Sequence, residues 1–321
     1  MSFAVMKQNV EVLPYDPNWK ELFEKESTSL KDLLKELIIS LYHVGSTSIE
    51  GLSAKPIIDI IMAVKDQSIA RAILQKSGYT YKGELNIPFR DYFTKKVPFE
   101  VNLHVYDDVN NPEIELNLLF KEYISTHEDD KKHYSALKMR LSTQEGANKN
   151  NGHVKVYTLG KDPFIKKILK KAGFQRLCLR FCTHYAEWDK AKELRQKYFF
   201  DPDGVQDPYT WTFNHKDHLH FIFYKGIELI GYGHVQLWPD NRAILRILVL
   251  EEAYQKNGFG NHFLALIEQY LIKCQVKRLH IDSVKEALSF YQNFGYDLCE
   301  LNDPEGHERY EEDISIAKNL F

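Results

Sequence analysis

The sequence predicts two domains of the α/β (α+β) class, and three observations lead to this prediction. First, 321 residues are enough for two domains of about 100–200 residues each. Second, short apolar runs alternate with amphipathic helical patterns along the chain. Third, the basic helical run 161–171 ends before Gly173, a helix-stop residue, and a new apolar run begins at Leu177. We therefore place the two domains at residues 1–172 and 173–321.

The first domain alternates strands and helices. Alternating or continuous apolar patterns predict strands, and patterns with a 3.6-residue period predict helices. The predicted strands are 9–14, 41–44, 57–64 and 99–106. The predicted helices are 19–37, 67–76, much of 113–141, and 161–171.

The second domain opens with a strand and a helix and continues as an antiparallel meander. The predicted strands are 177–183, 218–224, 229–238, 243–250, 278–283 and 313–317. The predicted helices are 186–197, 261–273 and 286–293. A loop rich in aspartate, proline and aromatic residues, 199–211, precedes the meander.

Composition indicates an ordinary globular protein, with 44% hydrophobic and 27% charged residues. The net charge of −3 gives no reason to expect a nucleic-acid partner. No signal peptide is visible, and no apolar stretch approaches the ~20 residues that a membrane span needs. We therefore expect a cytoplasmic protein without a membrane partner. The four cysteines lack a zinc spacing, and we expect Cys178 and Cys182 to be buried thiols.

A glycine-bearing loop joins the apolar run 243–250 to the helical pattern 261–273. A helix that follows such a loop presents unpaired N–H groups and the positive end of its dipole, which together bind anions. Gly258 and Gly260 carry no Cβ, so a pyrophosphate can approach the backbone closely. The candidate binding residues are Gln255, Lys256, Asn257, Gly258, Phe259 and Gly260.

The spacing of Gln255, Gly258 and Gly260 resembles the acetyl-CoA-binding loop of the GNAT N-acetyltransferases. The segment 287–296 resembles the signature of the fourth GNAT helix. The resemblance runs from Leu177 to the C-terminus and implies a mixed sheet flanked by helices, with acetyl-CoA as co-substrate and an amine as acceptor.

The same resemblance implies roles for three residues. The backbone groups of Leu248 and Leu250, at the end of the central strand, pair with the pantetheine amides. Tyr291 lies close to the thioester sulfur and protonates the leaving thiolate.

The sequence does not identify the general base. Polar residues near the central strand are candidates, and none is favoured by spacing: His234, Asp240, Glu251 and Asp282. Deprotonation through water needs none of them. The acids of the preceding loop and turn either attract a cationic amine or only form turns: Asp201, Asp203, Asp207 and Asp240. His218 and His220 share a strand face, but no carboxylate or cysteine at ligand spacing accompanies them.

The segment from His43 to Asp59, with Gly45-Ser46 and Lys55-Pro56 inside it, closely resembles the GrpB family. The resemblance covers about residues 9 to 172 and implies a nucleotidyltransferase-like mixed sheet with helices. In that fold a Gly-Ser turn holds a phosphate, and acids two residues apart on the next strand hold divalent cations. The candidate pocket residues are Gly45, Ser46, Lys55, Asp59 and His104.

Two departures weaken two-metal chemistry in this domain. Ile61 occupies the position of the second acid, and Asn102 stands where relatives often have histidine. A divalent metal therefore has no assigned ligand set. A degenerate module that binds the acceptor or a nucleotide or phosphate ligand is one interpretation. An active nucleotidyltransferase is the other.

The leading hypothesis is an acetyl-CoA-dependent N-acetyltransferase that acts on a small-molecule amine and carries a GrpB-like binding module. The alternative is a nucleotidyltransferase-type enzyme whose GNAT half only binds or senses acyl-CoA. A third interpretation is a non-catalytic sensor of acyl-CoA or nucleotides. The acceptor and the oligomeric state are not determined by the sequence.

Overall fold

The structure, a computed structural model, describes residues 10–151, 154–304 and 312–321. The chain divides into two compact units, Met1–Cys178 and Leu179–Phe321, so the predicted boundary at residue 172 lies within the first unit. Each unit contains one large mixed sheet with helices. The predicted α/β (α+β) class is therefore confirmed.

The first unit follows the predicted order of elements. Its helices are α1 (Asn18–Leu34), α2 (Gln67–Lys76), α3 (Pro112–Thr126), α4 (Glu128–Thr143), α5 (Val156–Leu159) and α6 (Asp162–Lys171). Its strands are β1 (Ile38–Val44), β2 (Ile57–Val64), β3 (Thr80–Tyr81), β4 (Asp91–Lys95), β5 (Glu100–Tyr106), β6 (Asn150–Asn151) and β7 (Val154–Lys155).

Most predicted elements of this unit are present, and β2 and α2 have the predicted bounds. The predicted strand 9–14 is wrong: its described part contributes one isolated bridge, between Leu13 and Ala54, and residue 9 lies outside the described residues. Leu13 and Ala54 exchange two backbone hydrogen bonds, and one such bridge does not make a ladder. The hairpin of β3 and β4 was not predicted.

The main sheet of the first unit has the order β1-β2-β5-β4-β3, in which only β2 and β5 pair in parallel. Alternate residues of β2 point to opposite faces of the sheet. Ile58, Ile60 and Met62 pack in the core cluster that includes residues of α1 and α2. Ile61 packs in the opposite cluster, with Ile114 of α3. Asp59 shares the second face with Ile61.

The second unit has the predicted meander and crossover. Its helices are α7 (Tyr185–Arg195), α8 (Phe259–Lys273) and α9 (Leu288–Gln292). Its strands are β8 (Leu177–Phe181), β9 (His218–Lys225), β10 (Glu228–Trp238), β11 (Arg242–Leu250), β12 (Arg278–Ser283), β13 (Asp297–Leu298) and β14 (Ile314–Asn319).

The sheet of the second unit has the order β13-β14-β12-β11-β10-β9-β8. The central strands β11 and β12 are parallel, and their pairing ends at Leu245 and Ile281 although β11 continues to Leu250. The two strands therefore separate at their carboxyl ends. Helix α8 packs closely on β10, because a Cβ at Gly233 would lie 2.9 Å from Ile267 of that helix.

Two further expectations concern burial and membrane segments. Cys178 and Cys182 are buried thiols, as predicted. Among the residues that the structure describes, no helix combines the length and the apolar character that crossing a membrane requires.

Candidate functional sites

The loop before α8 has the form of an anion cradle. Helix α8 begins at Phe259, earlier than the predicted start at residue 261, and Gly258 caps it in the left-handed region, with φ 79°. Lys256 also has a positive φ, 59°. The first turn of α8 contains no acidic residue. Its free N–H groups and positive dipole end therefore face the loop without a competing negative side chain.

The loop is held against the end of β11 by Gln255. Its side-chain amide donates to the carbonyl of Leu250 at 2.9 Å. Asn257 in turn donates from its side chain to the carbonyl of Gln255 at 3.0 Å. Gln255 therefore holds the loop against the end of β11, and the Leu250 carbonyl already accepts one hydrogen bond from this side chain.

Leu248 and Leu250 direct their backbone groups toward the gap between β11 and β12. The amide of Glu251 donates to the carbonyl of Ile230 at 2.9 Å. Because hydrogen-bonded and non-hydrogen-bonded pairs alternate along an antiparallel ladder, the N–H and C=O groups of Leu248 and Leu250 point away from β10. On that side β12 has already separated, which leaves room for a ligand with amide groups.

The two sequence motifs of the second unit meet in space. A Cβ on Gly260 would lie 3.5 Å from the ring of Phe290 in α9. The next residue, Tyr291, is buried, and burial raises the pKa of its phenol to about 12. Among the described residues, its hydroxyl has no hydrogen-bond partner. Tyr291 therefore keeps its proton at neutral pH and holds a donor that the fold itself does not use.

A cavity of about 280 Å³ opens where β11 and β12 separate. It is lined by Leu245, Arg246 and Ile247 of β11 and by Asp282 at the end of β12. Four aromatic side chains from the segment between α7 and β9 form another wall: Phe199, Phe200, Tyr209 and Trp211. Asp313 adds a second carboxylate to the lining.

A buried ion pair supports this cavity. Arg195, which is 1% exposed, binds Asp207 through two hydrogen bonds of 2.6 and 3.0 Å. Asp207 is therefore engaged and does not act as a free acid that attracts an amine. A third guanidinium nitrogen of Arg195 donates to Nδ1 of His234 at 3.3 Å.

The contact with Arg195 fixes the protonation of His234. Burial, with nearby positive charge, lowers the pKa of His234 well below its usual value, so the ring is neutral. Its Nδ1 accepts from Arg195, so its proton lies on Nε2 and is donated to Nδ1 of His218, 2.8 Å away. Both nitrogens of His234 are thus occupied, and the ring is a poor acceptor for a substrate proton.

The other candidate bases differ in position. Glu251 forms ion pairs with Lys190 and Lys197, away from the cavity lining. Asp240 is exposed in the turn between β10 and β11, with a positive φ of 62°. Asp282 lines the cavity and accepts a hydrogen bond of 2.6 Å from Ser315. The geometry therefore favours Asp282 among the four.

In the first unit, the turn at Gly45 lies directly against Asp59. Gly45 has φ 68°, and a Cβ on it would lie 2.3 Å from Oδ2 of Asp59. The other carboxylate oxygen of Asp59 accepts from the side-chain amide of Asn102 at 2.8 Å. Burial raises the pKa of Asp59. This carboxylate is packed and hydrogen-bonded within the fold.

The remaining predicted pocket residues fall into two environments. Lys55 couples electrostatically to Asp59, whereas His104 lies beside Arg90, whose guanidinium is 3.3 Å from its Nδ1. Burial and Arg90 lower the pKa of His104 to about 3. Ile61 is a core residue. Among the described residues, no group of three or more His, Cys, Asp or Glu side chains is placed to hold a metal ion.

His43 has a structural environment beside the same turn. Its ring stacks on Phe23 at 4.6 Å between centroids, and its Nε2 lies 3.1 Å from the hydroxyl of Thr47. That hydroxyl donates to the carbonyl of Ile57 at 3.0 Å. Burial lowers the pKa of His43 to about 4. His43 therefore fixes the turn on β2.

Sequence reasoning did not single out several residues that build these sites. They are Arg195, Gln236, Tyr157 and Lys161. Lys161 belongs to the predicted basic helix 161–171, and Arg195 to the predicted helix 186–197. Their positions depend on how the helices pack, which no local spacing reveals.

Family models match both halves of the chain. A model described as GrpB protein matches residues 9–171, and a model described as Acetyltransferase (GNAT) family matches residues 188–296. The UPF0157 protein YqkA of Bacillus subtilis is 37% identical over 164 residues, which are 50% of this chain and 46% of that protein. The chain thus spans about half the length of that relative.

Two solved structures resemble the two halves. The conserved protein GrpB from Enterococcus faecalis has 34% identity and a TM-score of 0.45, over 50% of this chain and 96% of that one. An acetyltransferase of the GNAT family from Staphylococcus aureus Mu50 has 11% identity and a TM-score of 0.39, over 46% of this chain and 100% of that one.

Proposed function

Because this chain belongs to the GrpB family over its first half and carries a GNAT acetyltransferase domain in its second half, we propose that it transfers the acetyl group of acetyl-CoA to a small-molecule amine. The GNAT domain supports acyl-CoA-dependent acetyl transfer in general. The observation that carries the finer proposal is the gap between β11 and β12: the cavity lined by Asp282 opens there, and the cradle at Gly258 follows the carboxyl end of β11.

The cradle fits the donor. The first-turn amides of α8 and the loop from Gln255 to Gly260 hold the pyrophosphate, and the backbone of Leu248 and Leu250 meets the pantetheine amides. When bound, acetyl-CoA supplies an activated acetyl carbonyl and a thiolate leaving group. No acidic side chain of the first turn opposes its negative charge.

The cavity fits an amine attached to an apolar body. The carboxylates of Asp282 and Asp313 attract an ammonium group, and the aromatic wall contacts both an apolar body and the cation itself. Arg246 is held by Gln236 and Asp303, at 2.7 and 2.6 Å, so its charge is partly neutralised. We therefore favour arylalkylamines over highly charged polyamines as acceptors.

We assign the chemical roles as follows. Asp282 receives a proton from the ammonium, directly or through water, and the neutral amine forms a bond with the acetyl carbon. Tyr291 supplies a proton to the sulfur as the carbon–sulfur bond breaks, and its phenolate recovers a proton from the acylated nitrogen, directly or through water. The GrpB domain contributes a binding module for a phosphate-bearing ligand. The alternative of a nucleotidyltransferase reaction gains no support, because Ile61 is a core residue and Asp59 is packed against Gly45.

An acetyl-CoA turnover screen on the whole chain tests this proposal. Release of free thiol is followed with a library that pairs arylalkylamines with polyamines, aminoglycosides and amino acids of similar size. We expect turnover with the arylalkylamines and its loss in Asp282→Asn. Turnover confined to polyamines would contradict the acceptor class, and absence of turnover with every amine would contradict the enzymatic activity.

A further inference from the structure

Two lysines of the first unit approach the same aromatic ring. The ammonium of Lys55 lies 4.3 Å from the centroid of the Tyr157 ring, and that of Lys161 lies 4.8 Å from it. Within the described part of the chain, neither ammonium has a carboxylate within ion-pair distance. The chain thus brings two partly buried cations together, one from the loop before β2 and one from the start of α6.

The charge around these lysines is unbalanced. The groups that interact with them electrostatically are Lys138 and Lys155, which are cationic, and Asp59 and Glu100, which are anionic. When the four lysines are protonated, they outnumber the two carboxylates and leave an excess of positive charge. Asp59 is further committed to Asn102. The excess charge lies in a partly buried region where water compensates it poorly.

The protonation of the lysines reflects this imbalance. Burial, and then the charge of Lys55, lowers the pKa of Lys161 to about 8. Burial and Lys161 lower the pKa of Lys138 to about 7. Lys138 is 2% exposed and donates to the carbonyl of Ser53. An anion bound between Lys55 and Lys161 would favour the charged form of all three.

The turn that follows β1 reaches the same region. The hydroxyl of Ser46 lies near the phenol of Tyr134, and the ring of Tyr134 in turn lies 4.5 Å from the ammonium of Lys138. Ser46 immediately follows Gly45, which contacts Asp59. A polar hydroxyl and several ammonium groups therefore lie in one region on the Asp59 face of β2.

We propose that Lys55, Lys161 and Ser46 bind a phosphoryl group. Ammonium groups act as point charges toward phosphate oxygens, and a serine hydroxyl adds a hydrogen bond to the same group. This inference rests on the proposed role of the GrpB domain as a binding module, and it names the ligand class and the residues. It requires no metal ion.

Calorimetric titration of the whole chain with inorganic pyrophosphate, in EDTA at pH 7, tests the inference. We expect binding that weakens at least tenfold in Lys55→Gln and in Lys161→Gln. The matched control is Lys167→Gln, an exposed lysine of the same helix, for which we expect less than a twofold change. Equal affinity in all four proteins, or binding that needs added Mg²⁺, would overturn the inference.

Two further arms identify the source of the phosphoryl group. Tighter binding of ATP than of pyrophosphate would indicate a nucleotide, and the reverse order would indicate a free phosphate compound. Either order supports the phosphoryl site, provided that Lys55→Gln and Lys161→Gln both weaken the binding of the tighter ligand.

A second measurement needs no variant. Brief acylation of lysines at pH 8, read by mass spectrometry, detects amines that are partly uncharged. We expect Lys161 to react before Lys167 and to be protected at least fivefold by pyrophosphate. Unchanged labelling of Lys161 at saturating pyrophosphate would contradict the site. Acetyl-CoA binding, measured on the same samples, separates this failure from failure of the acetyltransferase proposal.

Discussion

The two glycine turns of this protein, at Gly258 and Gly45, have opposite surroundings. Gly258 and Gly45 both follow an apolar strand and both adopt the left-handed region, with φ of 79° and 68°. A Cβ on Gly258 would meet no described atom within 4 Å, whereas a Cβ on Gly45 would overlap the carboxylate of Asp59. The first turn is open to a ligand. The second is filled by the fold, and the cations for its proposed ligand come from more distant segments.

The largest expected effect is a fall in kcat that leaves the binding of acetyl-CoA to the second unit nearly unchanged. Tyr291→Phe removes the phenolic proton donor and should lower kcat about 100-fold, the lower end for a general acid. The Kd for acetyl-CoA should change less than twofold. Because the pKa of Tyr291 is about 12, the wild-type kcat should show no loss from this group up to pH 10. A kcat within threefold of wild type would contradict the role of Tyr291.

Substitution of the two glycines by alanine should affect stability unequally. Gly45→Ala combines left-handed strain with displacement of Asp59, which should cost about 2–3 kcal/mol of unfolding free energy. Gly258→Ala carries the strain alone, at about 1 kcal/mol. Chemical denaturation of the whole chain, followed separately in each unit, measures both. Equal losses would show that Asp59 does not fill the space beside Gly45.

The proposed phosphoryl site should weaken as pH rises. Lys161 binds an anion in its charged form, so binding should be full below its pKa of about 8 and should decline above it. The other charged groups facing it are Lys55, Lys138, Lys155 and Asp59. Sulfate, a tetrahedral dianion of constant charge, should lose about tenfold in affinity between pH 7 and 9. Constant affinity across this range would contradict the contribution of Lys161.

The same contrast explains what the sequence could and could not predict. The strand β2 and the helix α2 have their predicted bounds, because a continuous apolar run and a clear helical period define them locally. The loop at Gly258 is built from residues that are adjacent in the sequence, so the spacing of its glycines is visible in the sequence itself. The lysine pocket depends on α6 reaching the segment before β2, and the cavity depends on Arg195 reaching His234. Such tertiary contacts leave no periodic pattern.

The smallest expected effect concerns Asp59. Asp59→Asn keeps a carbonyl oxygen for Asn102 and removes one negative charge from the lysine pocket. Pyrophosphate should then bind about threefold more tightly, as expected for one screened charge at partly buried distances. If Asp59 instead held a catalytic metal ion, the same variant would lose pyrophosphate binding. The direction of the change therefore distinguishes an anion site from a metal site.

Calorimetric titration of acetyl-CoA into the whole chain tests the central claim most directly. We expect one acetyl-CoA per chain, with about fivefold weaker binding in Gly258→Ala because of its backbone strain. No binding of acetyl-CoA by the wild-type chain would contradict the assignment of the cradle and the proposed acetyltransferase activity.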